Sequence, residues 1–240
     1  MSGIRGAAGA RATAVATAVA ALMLVAGCGG SSGSASSGPP DNGESAKTGP
    51  VVAADAAAAL ESTTAVHIKG TFMDSGKQGN IDLQLQGKEV TGSLSAEGQT
   101  FEITETAGKT FLKGDAAFWT GNKIPASVAP QLAGKWVLVP VKNGESFTSS
   151  ISVKDIAEEL RKPEVAIQDP VTKGQENGQP VVVVSQADGS TLSVAASGKP
   201  YPLRLVSKGS DPEDIALTGF DQPQTIAAPP GALDLSTFGG

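Results

Sequence analysis

Thiol and imidazole chemistry is nearly absent from this chain: one cysteine and one histidine stand in 240 residues. A zinc site of the usual three or four nitrogen and sulfur ligands cannot be assembled from them, and no disulfide can close within the chain. A Ser-His-Asp triad would have to use His67, which alternates with Val66 and Ile68 on the polar side of a strand pattern. It reads as a surface or edge histidine, and no G-x-S-x-G elbow accompanies it. Gly-rich phosphate loops are missing too, since the glycines fall at turns and in one polar stretch. Aromatic residues make up only 4% of the chain, and 18 basic residues face 24 acidic ones. That balance argues against nucleic acid as a partner and against charge-driven adhesion to anionic headgroups. Beyond the N-terminus there is no long apolar run, so nothing else is predicted to span a membrane.

Carboxylates are harder to dismiss. Asp211-Pro212-Glu213-Asp214 could hold calcium through oxygen ligands, but it lacks the Gly-punctuated spacing of a calcium loop and falls between two strand patterns, as a solvated turn would. Glu158-Glu159 reads as the solvent face of a helix. A glycosidase needs two acids facing across a cleft; Asp82, Glu102 and Glu105 alternate with apolar residues and are expected to point outward. With no visible carrier of catalysis, the expectation is a protein that is not an enzyme and uses no metal or cofactor.

What is present begins at the N-terminus. Two arginines, Arg5 and Arg11, precede an apolar stretch from Ala12 to Ala26 that is of signal-peptide length. It ends in Val25-Ala26-Gly27-Cys28, an apolar residue, a small residue, Gly and Cys: the pattern of a bacterial lipobox. Processing before Cys28 requires small side chains at the two preceding positions, and the Cys28 thiol then receives the lipid. Residues 1–27 are thus expected to be a lipoprotein signal peptide and Cys28 the lipidation site. One acyl chain holds a protein to a bilayer only marginally, whereas two or more are effectively permanent. The expected location is the extracytoplasmic face of the cell membrane, lipid-anchored. Removing the leader with its two basic residues leaves 16 basic against 24 acidic, a net charge of −8.

From Cys28 to residue 50 the chain is Gly, Ser and Pro with a few charges, too poor in apolar area to offset its ordering entropy. Read as a disordered stalk of about 20 residues, it holds a following domain roughly 25 Å from the anchor. Residues 51–240 are read as one domain with a Pro-rich tail. An Ala-rich helix, Val51 to Glu61, opens it; small side chains let such a helix lie close to a sheet. Period-two patterns follow: Val66 to Phe72, Ile81 to Leu85, Val90 to Ala96, Phe101 to Thr104, Lys109 to Leu112 and Ala117 to Trp119. Short Gly-bearing turns between them predict antiparallel hairpins. Pro125 to Ala133 is a short helix or loop, and Trp136 to Val141 a strand. Ser152 caps a helix whose apolar stripe is Ile156, Ala157 and Leu160. Strands resume at Val165 to Ile167, Val171, Pro180 to Val184, Thr191 to Ala195, Tyr201 to Val206 and Ile215 to Phe220. The four consecutive valines imply burial on both faces.

The class is therefore α+β: one broad antiparallel sheet of about 10–11 strands with a few short helices. Such a sheet closes on a solid core or leaves a gap, and Leu83, Leu85, Phe101, Ile103, Phe111, Trp119 and Trp136 would line either. Apolar patterning does not separate these alternatives, because ligand pockets are largely apolar too.

The order of features resembles a known family. The lipobox, stalk and Ala-rich helix lead into Thr64-Ala65-Val66-His67-Ile68-Lys69-Gly70. Lys109-Thr110-Phe111-Leu112, Phe118-Trp119-Thr120 and Gly134-Lys135-Trp136 follow. The last third carries Gly178-Gln179-Pro180-Val181, Asp188-Gly189 and Gly198-Lys199-Pro200-Tyr201-Pro202-Leu203-Arg204-Leu205. From about Val51 to Pro230 this resembles the LppX/LprAFG lipoproteins of actinobacteria and, more distantly, the LolA and LolB lipoprotein carriers. The resemblance implies a strongly curved antiparallel half-barrel with helices covering its concave face and an apolar cavity between. It implies binding of an acylated lipid or glycolipid for passage across the envelope, in concert with an envelope lipid transporter. The alternative is an anchored scaffold or interaction protein with a filled core.

Overall fold

The computed structural model describes residues 40–74, 76–96, 98–140 and 151–238; Cys28 and the lipobox lie outside them. Ordered chain begins earlier than composition predicts. Asp41 bridges to Ser197, and the Asn42 side-chain amide donates to the Ala195 carbonyl at 2.9 Å. Glu44 is buried, and Lys47 bridges its carboxylate and that of Asp55, both at 2.7 Å. These residues carry few apolar atoms, so their order comes from polar groups satisfied against the domain rather than from a core of their own.

The first helix, α1, spans Gly49–Glu61, with Pro50 in its first turn where a missing N–H costs nothing. The Gly49 N–H donates to the Asp169 carboxylate at 2.6 Å, which satisfies one orphan donor of that turn. Val52, Ala53, Ala56, Ala57 and Leu60 form its buried stripe. The alanines do what their size predicts, letting the helix backbone approach the sheet.

A single open sheet of twelve strands carries the rest. In chain order these are β1 Val66–Asp74, β2 Lys77–Gln86, β3 Glu89–Ala96, β4 Gln99–Thr106, β5 Lys109–Gly114, β6 Val137–Val139, β7 Thr172–Glu176, β8 Gln179–Ser185, β9 Thr191–Ala195, β10 Pro202–Ser207, β11 Glu213–Thr218 and β12 Leu233–Asp234. Their spatial order is β12-β6-β5-β4-β3-β2-β1-β11-β10-β9-β8-β7. All pairs are antiparallel except β12 with β6. The sheet is not closed, and it fits the half-barrel expected from the sequence. Two glycines mark close backbone approaches in it. A Cβ on Gly70 would sit 2.1 Å from the Asp214 carbonyl, and one on Gly92, at φ +145°, 2.0 Å from that of Asp82. Neither strand could coil this tightly past its neighbour with a side chain there.

Two expectations are corrected. Ala117 to Trp119 is not a strand but part of a helix, α2, Ala116–Gly121: the Asp115 carboxylate accepts the Phe118 N–H at 2.7 Å and starts the turn. Val165 to Ile167 forms no strand, only an isolated bridge from Ile167 to Gln186. A twelfth strand comes from the Pro-rich tail, which the composition left without structure. Helix α3, Ala129–Leu132, follows α2, and α4, Val153–Arg161, is capped by Ser152 as predicted.

Register sorts the sheet into two faces. One cross-strand row runs Ile68, Leu83, Gly92, Ile103, Leu112, Val137. This apolar face shares a core with α1 and with Ala157 and Leu160 of α4. A second core gathers Phe118, Trp119, Ala129, Leu132 and Val137 under α2 and α3. The other face is polar, with Lys69–Asp82 and Lys113–Glu102 pairs at 2.7 and 2.9 Å. The tail crosses it. Gln86 and Gln224 exchange side chain–backbone bonds at 2.8 Å in both directions, and Thr106 donates to the Ile226 carbonyl at 3.3 Å. Among the described residues no helix is long and apolar enough to cross a membrane.

Candidate functional site

Between the helical layer and the apolar face of β8 to β11 the structure leaves a cleft of about 400 Å³. Register places Val184, Leu192, Leu205 and Ile215 side by side across these strands. Of these, Val184, Leu192 and Leu205 form the sheet wall of the cleft. Ala53 of α1, Leu160 of α4 and the segment after α4, through Pro163, Val165 and Ile167, form the facing wall. Pro163 ends α4 and turns the chain down along the sheet instead of letting a further helical turn fill the space.

The charged side chains lining the cleft are all acidic: Glu159, Glu164, Asp188, Asp211 and Glu213. All five are exposed, while Ala53, Leu160, Val184 and Leu192 are buried, so the cleft has an apolar interior and a carboxylate rim. Partial removal from water, with the facing charges of Glu159 and Asp211, raises the Glu213 carboxyl above its ordinary value. Asp188 behaves oppositely. It accepts the Ser190 N–H at 2.9 Å and the Ser190 hydroxyl at 2.8 Å, which lowers it. Ser190 is itself buried and its hydroxyl oxygen accepts the Lys208 N–H at 2.9 Å, fixing the β8–β9 turn to the end of β10.

A second, smaller cleft of about 280 Å³ lies where Glu61 and Thr63 meet Leu85, Gly87 and the residues from Ile151 to Lys154. Among the described residues no group of three or more His, Cys, Asp and Glu side chains is placed to hold a metal ion.

The residues singled out from the sequence scatter. Leu83 and Ile103 are fully buried in the first core. Leu85 belongs to that core and also borders the smaller cleft. Phe101 joins the two cores and stacks on Phe118 at 4.9 Å. Trp119 is buried in the second core. Trp136 is half-buried, with the Lys113 Nζ 5.8 Å from its ring centre. Phe111 faces the other way: it pairs with Thr104, while Leu112 pairs with Ile103, so it lies under the tail's side of the sheet. The seven therefore do not converge on one space, and none borders the larger cleft.

The acids are redistributed as well. Glu105 was expected outside, but it is buried and shares a face with Ile103 two residues earlier. In the cluster after β10, Asp214 turns outward to a two-pronged pair with Arg204 at 2.7 Å, which lowers Asp214 and raises Arg204. Asp211 and Glu213 turn to the cleft. His67 lies on the polar face as predicted, its Nε2 2.7 Å from Asp82. Sequence reasoning missed Leu192, Leu205 and Ile167 as lining residues. The period-two pattern of the last third carried that signal, but nothing in it says which end of a sheet the helices leave uncovered.

An open antiparallel sheet sharing its core with an Ala-rich helix is an architecture this chain has in common with a solved structure. The structure of LprF from Mycobacterium bovis superposes with a TM-score of 0.52 at 16% identity, covering 81% of this chain and 100% of that one. That likeness shows the fold, and it is the fold implied by the resemblance to the LppX/LprAFG lipoproteins read from the sequence. LppX from Mycobacterium tuberculosis aligns at 12% identity and a TM-score of 0.47, over 74% of this chain and 99% of its own. A LolA-superfamily protein from Nitrosomonas europaea aligns at 9% identity and 0.27, over 75% and 95%. No family profile and no curated protein matches the chain by sequence.

Proposed function

We propose that this chain is a non-catalytic envelope lipoprotein, anchored through lipidated Cys28, that takes the acyl portion of a lipid or glycolipid between its sheet and helices and helps move it across the envelope. The observation that carries the reading is the cleft of about 400 Å³ between the two layers, with its apolar interior. Its volume lies within the usual range for ligand pockets, roughly 300–1,000 Å³. Exposing acyl chains to water costs about 0.8 kcal/mol per methylene, so carrying them through an aqueous space calls for a dry container. On this reading α1 and α4 cover the concave side of the half-barrel, and the stalk gives the domain reach to the bilayer. A transporter that loads or unloads it is part of the same proposal.

Native mass spectrometry of the full protein, released from mild detergent, should retain a lipid-sized adduct, and a fluorescent fatty-acyl probe should bind saturably. Leu205→Trp, which adds bulk to the sheet wall, should weaken probe binding at least tenfold while the far-ultraviolet circular dichroism is unchanged. No adduct and no uptake would reject the reading. A second reading, a filled-core scaffold, is favoured by the closed packing beneath α1, where Val52, Ala56, Leu60 and Leu83 are all 0% exposed; that result would leave it standing.

A further inference from the structure

We propose that the larger cleft selects its ligand by head charge: it admits acyl ligands whose head is uncharged or cationic and turns away those whose head is anionic. This rests on the acyl-binding reading of the same cleft and adds the class of ligand to it. The argument starts from how the chain spends its cations. Lys47, Lys69, Lys113, Arg161, Lys199 and Arg204 all pair with carboxylates, and between them they reach Glu44, Asp55, Glu61, Asp82, Glu102, Glu176, Asp214 and Asp221, Lys47 and Arg204 each serving two. Around the cleft the pattern stops. Glu159 and Glu164 face it from α4 and the segment beyond, Asp188 from the β8–β9 turn, and Asp211 and Glu213 from the start of β11. Among the described residues none of these five is in an ion pair, and no basic side chain lines the cleft. The nearest basic residues are Arg161, the last of α4 and paired with Glu61, Lys162 just after it, and Lys208 beyond β10, whose side chain passes beside Gly189.

An acyl chain lying on Val184, Leu192 and Leu205 would bring its head to this rim. Carboxylate oxygens accept hydrogen bonds from an ammonium group or from hydroxyls. A phosphate or sulfate head at the rim meets a predominance of like charge, and an interaction of that kind weakens once charges stand more than the roughly 8 Å screening length of physiological salt apart. At Glu213 partial removal from water, and after it the charges of Glu159 and Asp211, make the carboxyl hold its proton more tightly.

The test uses the full protein and three single-chain probes below their micellar concentrations: dodecyltrimethylammonium, dodecyl maltoside and dodecyl phosphate. Each competes against a fluorescent acyl probe at low ionic strength. The first two should displace it at concentrations at least tenfold lower than the phosphate. The gap should shrink in about 1 M salt, where screening falls to roughly 3 Å, and in the Glu159→Gln/Glu164→Gln/Glu213→Gln variant. It should also narrow as pH falls and the rim is protonated. Equal or better displacement by the phosphate, or a gap that neither salt nor the triple variant changes, overturns the charge rule and leaves acyl binding intact. Saturable uptake of the fluorescent probe with no displacement by any of the three also overturns it. Failure of the fluorescent probe itself to bind rejects the acyl reading, and the charge rule with it.

Discussion

Asp221 ties three distant parts of the chain together. Its carboxylate accepts the Thr64 N–H at 2.9 Å, the Tyr201 hydroxyl at 2.6 Å and the Lys199 ammonium at 3.0 Å, while Tyr201 stacks on Phe220 with ring centres 4.1 Å apart. The Tyr201 hydroxyl, then the Thr64 N–H and Lys199, hold this carboxyl well below its usual range. A depressed carboxyl contributes stability above its unfolded value, 3.8, and loses it as pH falls through the folded value. Asp221→Asn should therefore lower the urea midpoint at pH 7, and the difference from the wild type should shrink as pH drops below about 4; a difference that does not change with pH would contradict this account. Alternation made the polar placement of His67 legible in the sequence. The same alternation puts Glu105 inside, two residues from Ile103, even though its charge favours the outside. Phe111 was legible by counting: the Ala107-Gly108 turn sets Thr106 opposite Lys109, hence Thr104 opposite Phe111.

Among elements, the hairpins and the two longer helices follow from local pattern, since turn glycines, the Ser152 cap and the Ala-rich stripe each act within a few residues. Helix α2 does not, because Ala117-Phe118-Trp119 alternates as a strand would while Asp115 offers a stronger local instruction. Replacing that cap should show its weight: Asp115→Ala is expected to cost about 1 kcal/mol in urea unfolding, and Asp115→Asn clearly less. The second core, which holds Phe118 and Trp119, depends on the same turn. The tail was illegible for a different reason. Its order comes from partners such as Gln86 and Thr106, more than a hundred residues earlier, and no window along the sequence contains both sides of such a contact.

For the whole molecule, the helical layer is set on the sheet by residues that lie before Val51. A chain starting there loses the Asn42 and Glu44 contacts and the first residues of α1, each hydrogen bond being worth about 1 kcal/mol. It should unfold at least about 2 kcal/mol more easily than one starting at Pro40, measured by urea titration. The fold class was legible because an alternating pattern with Gly turns admits few architectures. The cleft was not, because its walls come from α1, α4 and four strands, and only their assembly leaves the space. One last property belongs to the open sheet as an assembly. An unclosed sheet has two borders at which foreign strands can be templated. At one of them the border strand is Leu233–Asp234, only two residues long and lying alongside Val137 and Leu138, so that side offers an incoming strand a far shorter template than β6 itself would.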